Sequence, residues 1–131
     1  MERKSQRAVV DPRDVPIEAW NDKAQGEVRW RTLISADRTD SSALVCGLAY
    51  FDAGHCLALH HHAEPEVVHV VRGSGYACID GETAALREGT TIFVGSGVPH
   101  RWTAGKDGMV LFFTLAASSF QDIDYRFPGR A

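Results

Sequence analysis

Basic surplus, long apolar runs and paired cysteines are all scarce in this 131-residue chain, and each shortage excludes something. Seventeen acidic residues against fourteen basic ones leave a formal net charge of -3. Binding a phosphate backbone usually needs a basic face, so no nucleic-acid partner is expected. No stretch approaches the roughly 20 apolar residues of a membrane span, so no membrane partner is expected either. Residues 1–10 are polar and charged, without the apolar centre of a secretion signal, and a cytoplasmic location is the expectation. Cys46, Cys56 and Cys78 form an odd set without a CxxC spacing. In such a protein the thiols are expected to stay reduced. Helical periodicity over eleven or more residues is missing between residues 27 and 115. Internal repeats, low-complexity tracts, linkers and a flanking helix-turn-helix signal are missing too. A chain of this length suffices for one domain with a real core.

What the sequence does contain is short strands broken by turns. Residues 1–26 read as an N-terminal arm, because Asp11-Pro12 and Val15-Pro16 resist helix and sheet alike. Trp20 and Ile17 are its candidate anchors. Strands are predicted over residues 27–34, 43–51, 56–62 and 66–72, the last carrying the β-branched run Val67-Val68-His69-Val70-Val71. Gly73-Ser74-Gly75 predicts a turn into a strand over 76–79. Asp80-Gly81 predicts a hairpin into 82–86. Further strands are predicted over 89–94 and 100–103, and a turn at Lys106-Asp107-Gly108 leads into 109–115. Phe93, Phe112 and Phe113 are expected in the core. A weak helix is predicted over 116–122, and the aromatics of the tail, residues 116–131, suggest that it packs on the rest. Many short strands with Gly-rich turns point to an all-β sandwich or barrel.

One stretch carries chemistry. His60 and His62 lie two residues apart, so on a strand both imidazoles share a face. Cys56 and Ala58 share their parity and leave space beside them. Ala63-Glu64-Pro65 connects to Glu66, which opens the next strand and falls beside His62 if that strand runs antiparallel. His100 starts a later strand, with Trp102 on its own face. Three imidazoles and a carboxylate suit Mn, Fe, Ni, Cu or Zn, and suit Ca or Mg poorly. On spacing alone Glu64 could replace Glu66, and His61 or His69 could replace a histidine. Parity turns His61 and His69 outward. His55 sits at a loop edge.

The glycines around these residues carry a resemblance. Gly54, His60, His62, Glu66 and Gly73 stand in the register of the first cupin motif, G-x5-HxH-x3-E-x6-G. Gly89, Gly97 and His100 follow the second, which this chain breaks at Gly95, where proline is usual, and at Ala104, where asparagine is usual. The sequence thus resembles the cupin superfamily over about residues 27–115. The resemblance implies a single-domain jelly-roll β-barrel, a divalent metal on His60, His62, Glu66 and His100, and a homodimer that exchanges the arm. It also implies a small-molecule ligand.

Function is then an expectation about the site. Open coordination positions can polarise a substrate oxygen, water or dioxygen. A metal-dependent enzyme is expected, with a dioxygenase favoured over a lyase or isomerase. A non-catalytic binding module is the alternative. A pocket of Cys56, Ala58, Val68, Val70 and Trp102 would favour an uncharged or aromatic ligand. Tyr50, Tyr76, Arg31 and Arg101 are the thin candidates for a general acid or base.

Overall fold

Alternation of buried and outward side chains builds the three longest strands of the computed structural model, which describes residues 9–128. Eight strands follow in chain order: β1 (Glu18–Asp22), β2 (Gly26–Ile34), β3 (Val45–Phe51), β4 (Cys56–His60), β5 (Glu66–Ile79), β6 (Glu82–Arg87), β7 (Thr91–Val94) and β8 (His100–Leu115). All their pairings are antiparallel. The path runs β1-β2-β3-β8-β5-β6, while β4 pairs with β2 and β8, and β7 pairs with β5. The strands close into a jelly-roll barrel, as the all-β reading expected. The ends of residues 1–26 and 116–131, namely 1–8 and 129–131, lie outside the described residues. No helix among the described residues is long and apolar enough to cross a membrane.

The interior follows from parity. Val28, Trp30 and Thr32 of β2 point inward, as do Glu66, Val68 and Val70 of β5 and Leu111, Phe113 and Leu115 of β8. Asp80 and Gly81 take φ of 50° and 85°, the positive pair that a two-residue hairpin with the right-handed strand twist demands. They join β5 to β6 as expected.

Two predicted turns are absent as turns. β5 runs through Gly73-Ser74-Gly75 and β8 runs through Lys106-Asp107-Gly108 without ending. Gly73 opposes Met109 and Gly75 opposes Ala104, so residues 105–108 bulge out opposite Ser74. The extra residues flip the parity of β8, whose inward positions change from His100, Trp102 and Ala104 to Met109, Leu111 and Phe113. The glycines serve close approach here: a Cβ on Gly73 would stand 2.2 Å from the Gly108 carbonyl oxygen.

Three further expectations change. Part of the supposed arm is a strand, since β1 pairs with β2 from Glu18↔Trp30 to Asp22↔Gly26. Trp20 anchors it, with its ring centroid 5.0 Å from that of Trp30, whereas Ile17 is 46% exposed and anchors nothing. Phe93 is 68% exposed rather than core, because its neighbour Val94 takes the inward place opposite Glu66. The weak helix over 116–122 is only a 3-10 turn, Phe120–Asp122.

Candidate metal centre

The barrel mouth gathers side chains from three strand ends. β4 ends on His60, the following connection carries His62, β5 opens on Glu66 and β8 opens on His100. His60 and His100 are ladder partners, which brings their ring centroids to 4.1 Å. The turn before β8 is pinned to the connection, because Gly97 N–H donates to the His62 carbonyl at 2.9 Å and Ser96 Oγ donates to the Ala63 carbonyl. All four side chains are buried, at 1% exposure for His60, 3% for His62, 6% for Glu66 and 0% for His100.

Each ring is held by its own backbone. Nδ1 of His60 meets the Ala58 carbonyl at 2.7 Å, Nδ1 of His62 the Glu64 carbonyl at 2.9 Å, and Nδ1 of His100 the Val98 carbonyl at 2.8 Å. A carbonyl only accepts, so Nδ1 carries the proton and, in the neutral ring, Nε2 keeps a bare lone pair. One ligand atom from each ring lies within 4.8 Å of the others. Glu66 Oε1 stands 3.3 Å from Nε2 of both His62 and His100. Those three atoms are buried without a hydrogen-bond partner. Buried polar atoms are nearly always satisfied, so convergent orphans with fixed lone pairs fit a divalent transition ion.

The electrostatics agree with ligand chemistry. Burial, aided by the neighbouring His100, pushes His60 down to about 3, so its imidazole is neutral and ready to coordinate at neutral pH. Burial also opposes charge on His62 and Glu66, but their mutual contact and that of Glu66 with His100 win. His62 is raised and Glu66 is held below the usual carboxylate value.

The structure brings together His60, His62, Glu66 and His100, with Trp102 5.6 Å from His100 by ring centroids. Val68 and Trp102 line the adjoining cavity and Val70 is core beside it, while Cys56 and Ala58 are absent from its wall. The reason is a bulge in β4. Leu57 opposes Trp102 but His60 opposes His100, three steps against two, so parity breaks between them and Leu57 takes the inward place. Cys56 Sγ instead accepts from Arg101 on the exposed side.

None of the four acid-base candidates lines this cavity. Arg31 donates to the Tyr50 hydroxyl at 2.8 Å and to the Val15 carbonyl, and Tyr76 and Arg101 are exposed. The missed residue is Tyr125. Its ring stacks on His60 at 5.4 Å and meets His62 edge-on at 5.2 Å. A bridge between His61 and Arg126 fixes it there. Burial, then the charges of Glu66 and Glu64, raise its phenol well above the ordinary value. The cluster Tyr125-Arg126-Phe127 was its only sequence signal. Trp20, Trp30, Phe120 and Tyr125 complete a strongly aromatic wall, and no lysine or arginine among the described residues lines it. The cavity is narrow, about 40 Å³, room for about three waters.

Comparison with known proteins adds the following. The family described as Cupin domain matches residues 47–115. The dimethylsulfoniopropionate lyase DddW of Ruegeria pomeroyi is 36% identical over 122 residues, covering 93% of this chain and 80% of that protein. The polyketide cyclase RemF from Streptomyces resistomycificus superposes with a TM-score of 0.80 at 18% identity, over 96% of this chain and 88% of that one, a likeness of fold alone. A salicylate 1,2-dioxygenase from Pseudaminobacter salicylatoxidans matches at 25% identity and a TM-score of 0.61, over 68% of this chain but only 26% of its own.

Proposed function

The chain belongs to the cupin domain family, and on that premise we propose that it is a metal-dependent lyase acting on a small carboxylate of the sulfoniopropionate type. The observation that carries the reading is the 36% identity with a dimethylsulfoniopropionate lyase across 80% of that relative. His60, His62 and His100 through Nε2, and Glu66 through Oε1, hold the ion. A divalent transition ion there supplies Lewis acidity towards a substrate oxygen.

The aromatic lining of the cavity suits the cationic end of such a substrate. Sulfonium is a cation spread over methyl groups, and aromatic faces attract onium cations. Trp20, Trp30, Trp102 and Tyr125 provide those faces, and among the described residues no lysine or arginine lines the cavity against it. Elimination removes a proton from the carbon next to the carboxylate. The C–H pair becomes the C=C bond, the C–S bond breaks, and sulfur keeps its pair. The products are a thioether, an unsaturated carboxylate and one proton. Among the described residues Glu66 and Tyr125 are the titratable groups on the cavity wall. Glu66 belongs to the ligand set, and Tyr125, whose burial keeps it a neutral phenol, is a hydrogen-bond donor to the ligand. Dimethyl sulfide released from dimethylsulfoniopropionate by iron-, manganese-, nickel- or zinc-loaded protein, measured by gas chromatography, tests the reading. No release with any of these ions overturns it.

The aromatic wall also favours a second reading, a dioxygenase on a phenolic substrate. Oxygen uptake by the iron-loaded protein with salicylate and related phenols, without sulfide release, would decide for it.

A further inference from the structure

Among the described residues five buried side-chain atoms lack a hydrogen-bond partner; three belong to the ligand set, His62 Nε2, His100 Nε2 and Glu66 Oε1, and a fourth, Glu64 Oε1, stands two residues before it. The fifth is Trp30 Nε1. Trp30 lies on the inner face of β2, is 8% exposed, and lines the same cavity as Glu66 and Tyr125. An indole N–H can only donate. Burying it without an acceptor carries a desolvation cost that a phenylalanine in the same place would avoid. Its ring neighbours are Trp20 at 5.0 Å and Phe120 at 5.9 Å, neither offering an oxygen. Around it the wall is apolar, with Val28, Phe51, Val68 and Leu111. Glu66 Oε1 faces the two imidazoles at 3.3 Å and belongs to the ligand set. Among the described residues none accepts from Trp30 Nε1, and the cavity that Trp30 lines is where an acceptor can be supplied.

We infer that Trp30 is a specificity-determining residue whose Nε1–H takes an oxygen of the ligand, and that the ligand carries a carboxylate or carbonyl group. The inference rests on the metal-dependent reading above. One oxygen of the group faces the ligand set and the group is oriented by the indole. Among the described residues the cavity wall holds no lysine or arginine, so none of them offers a carboxylate a side-chain countercharge. An ion at His60, His62, Glu66 and His100 provides the charge, and Trp30 provides direction. Recognition by a neutral, fixed donor rejects analogues that lack the oxygen, because the buried N–H is then left unpaired again.

The test uses zinc-loaded, 15N-labelled full chain and propionate as the probe. The protein has three tryptophans, and a Trp30→Phe variant identifies the Trp30 indole signal. On adding propionate that proton moves downfield as its hydrogen bond forms, while the zinc content stays unchanged. In Trp30→Phe, propionate binds about tenfold more weakly or worse. Should Trp30→Phe be unstable, Trp20→Phe and Trp102→Phe assign the Trp30 signal by elimination, so the proposal stays exposed. A Trp30 proton that stays upfield and unmoved in the zinc-loaded protein assigns the N–H to the Trp20 ring face and overturns the proposal. Propionate affinity unchanged in a folded Trp30→Phe overturns it too. Failure to take up zinc at all instead removes the metal reading on which it stands.

Discussion

His60 and Tyr125 lie nearly face to face, with ring centroids 5.4 Å apart and planes 25° from parallel. One is a proposed ligand on β4 and the other belongs to the C-terminal tail. Phe127 adds a second ring against His60 at 5.6 Å, and Trp20 from β1 closes on Tyr125 at 5.2 Å. The tail therefore roofs the metal centre from outside the part of the chain that carries the motifs. Aromatic pairs contribute about 0.5–1.5 kcal/mol each beyond their burial.

Removing that roof has a measurable cost. Tyr125→Ala is expected to destabilise the fold by about 2–3 kcal/mol, below the range for a fully buried aromatic because Tyr125 is half-buried. Chelator extraction of the bound ion should also become faster. Tyr125→Phe keeps the stack, and should keep both the melting temperature and the extraction rate. Equal behaviour of the Ala and Phe variants would contradict a roofing role.

The ligand set makes a stoichiometric prediction. After repletion with iron, manganese or zinc, wild-type protein should carry about one ion per chain by elemental analysis, since the described residues hold one set of convergent orphan atoms. His60→Ala combined with His62→Ala should fall to background. Glu64→Gln should not change the content, because Glu66 and not Glu64 meets the imidazoles at 3.3 Å. A Glu64→Gln variant that loses its metal would reassign the carboxylate.

Much of this site was legible beforehand, for a reason visible in particular residues. His60, His62, Glu66 and His100 lie within or beside regular strand pairings, so spacing and glycine frame predict their convergence. The errors fall where pairing is irregular. The bulge between Leu57 and His60 reverses parity and replaces Cys56 and Ala58 by Leu57 at the cavity. The bulge over residues 105–108 turns an expected turn into continuous strand. A two-residue period holds only until one extra residue is inserted, and nothing local marks the insertion. Tyr125 was illegible for a different reason: a single bridge, His61 to Arg126, puts it there, and one bridge has no pattern.

Acid should weaken the metal-free protein through His60. Its folded value is depressed to about 3 from 6.5, first by burial and then by His100. The unfolded chain gains a proton below about pH 6.5, and the folded chain only near 3. This contribution to stability is therefore complete above 6.5 and is lost as pH falls from 6.5 towards 3. Glu66, whose value is lowered, acts in the same direction at the acid end, whereas His62, whose value is raised, works against it. Melting temperatures of metal-free wild type should fall between pH 7 and pH 4.5 more steeply than those of His60→Gln. Parallel curves would show that His60 does not carry the effect.

Gly47 tests the barrel wall beneath the cavity. It faces inward on β3, and a Cβ there would stand 2.2 Å from the Arg31 carbonyl oxygen and 2.6 Å from the Phe113 ring. The carbonyl belongs to Arg31 of β2, the residue before Gly47's ladder partner Thr32, and cannot retreat without parting the strands. The ring can yield only into the cavity that it lines. Gly47→Ala is therefore expected to cost about 1–3 kcal/mol, as overpacking does, and to narrow the cavity further. Thermal unfolding measures the first effect and the affinity of the zinc-loaded protein for propionate the second. A second change, Phe113→Leu, relieves the ring contact but leaves the carbonyl contact, so it should restore propionate affinity more completely than stability. Full recovery of both would mean that the backbone approach at Gly47 is not what limits the site.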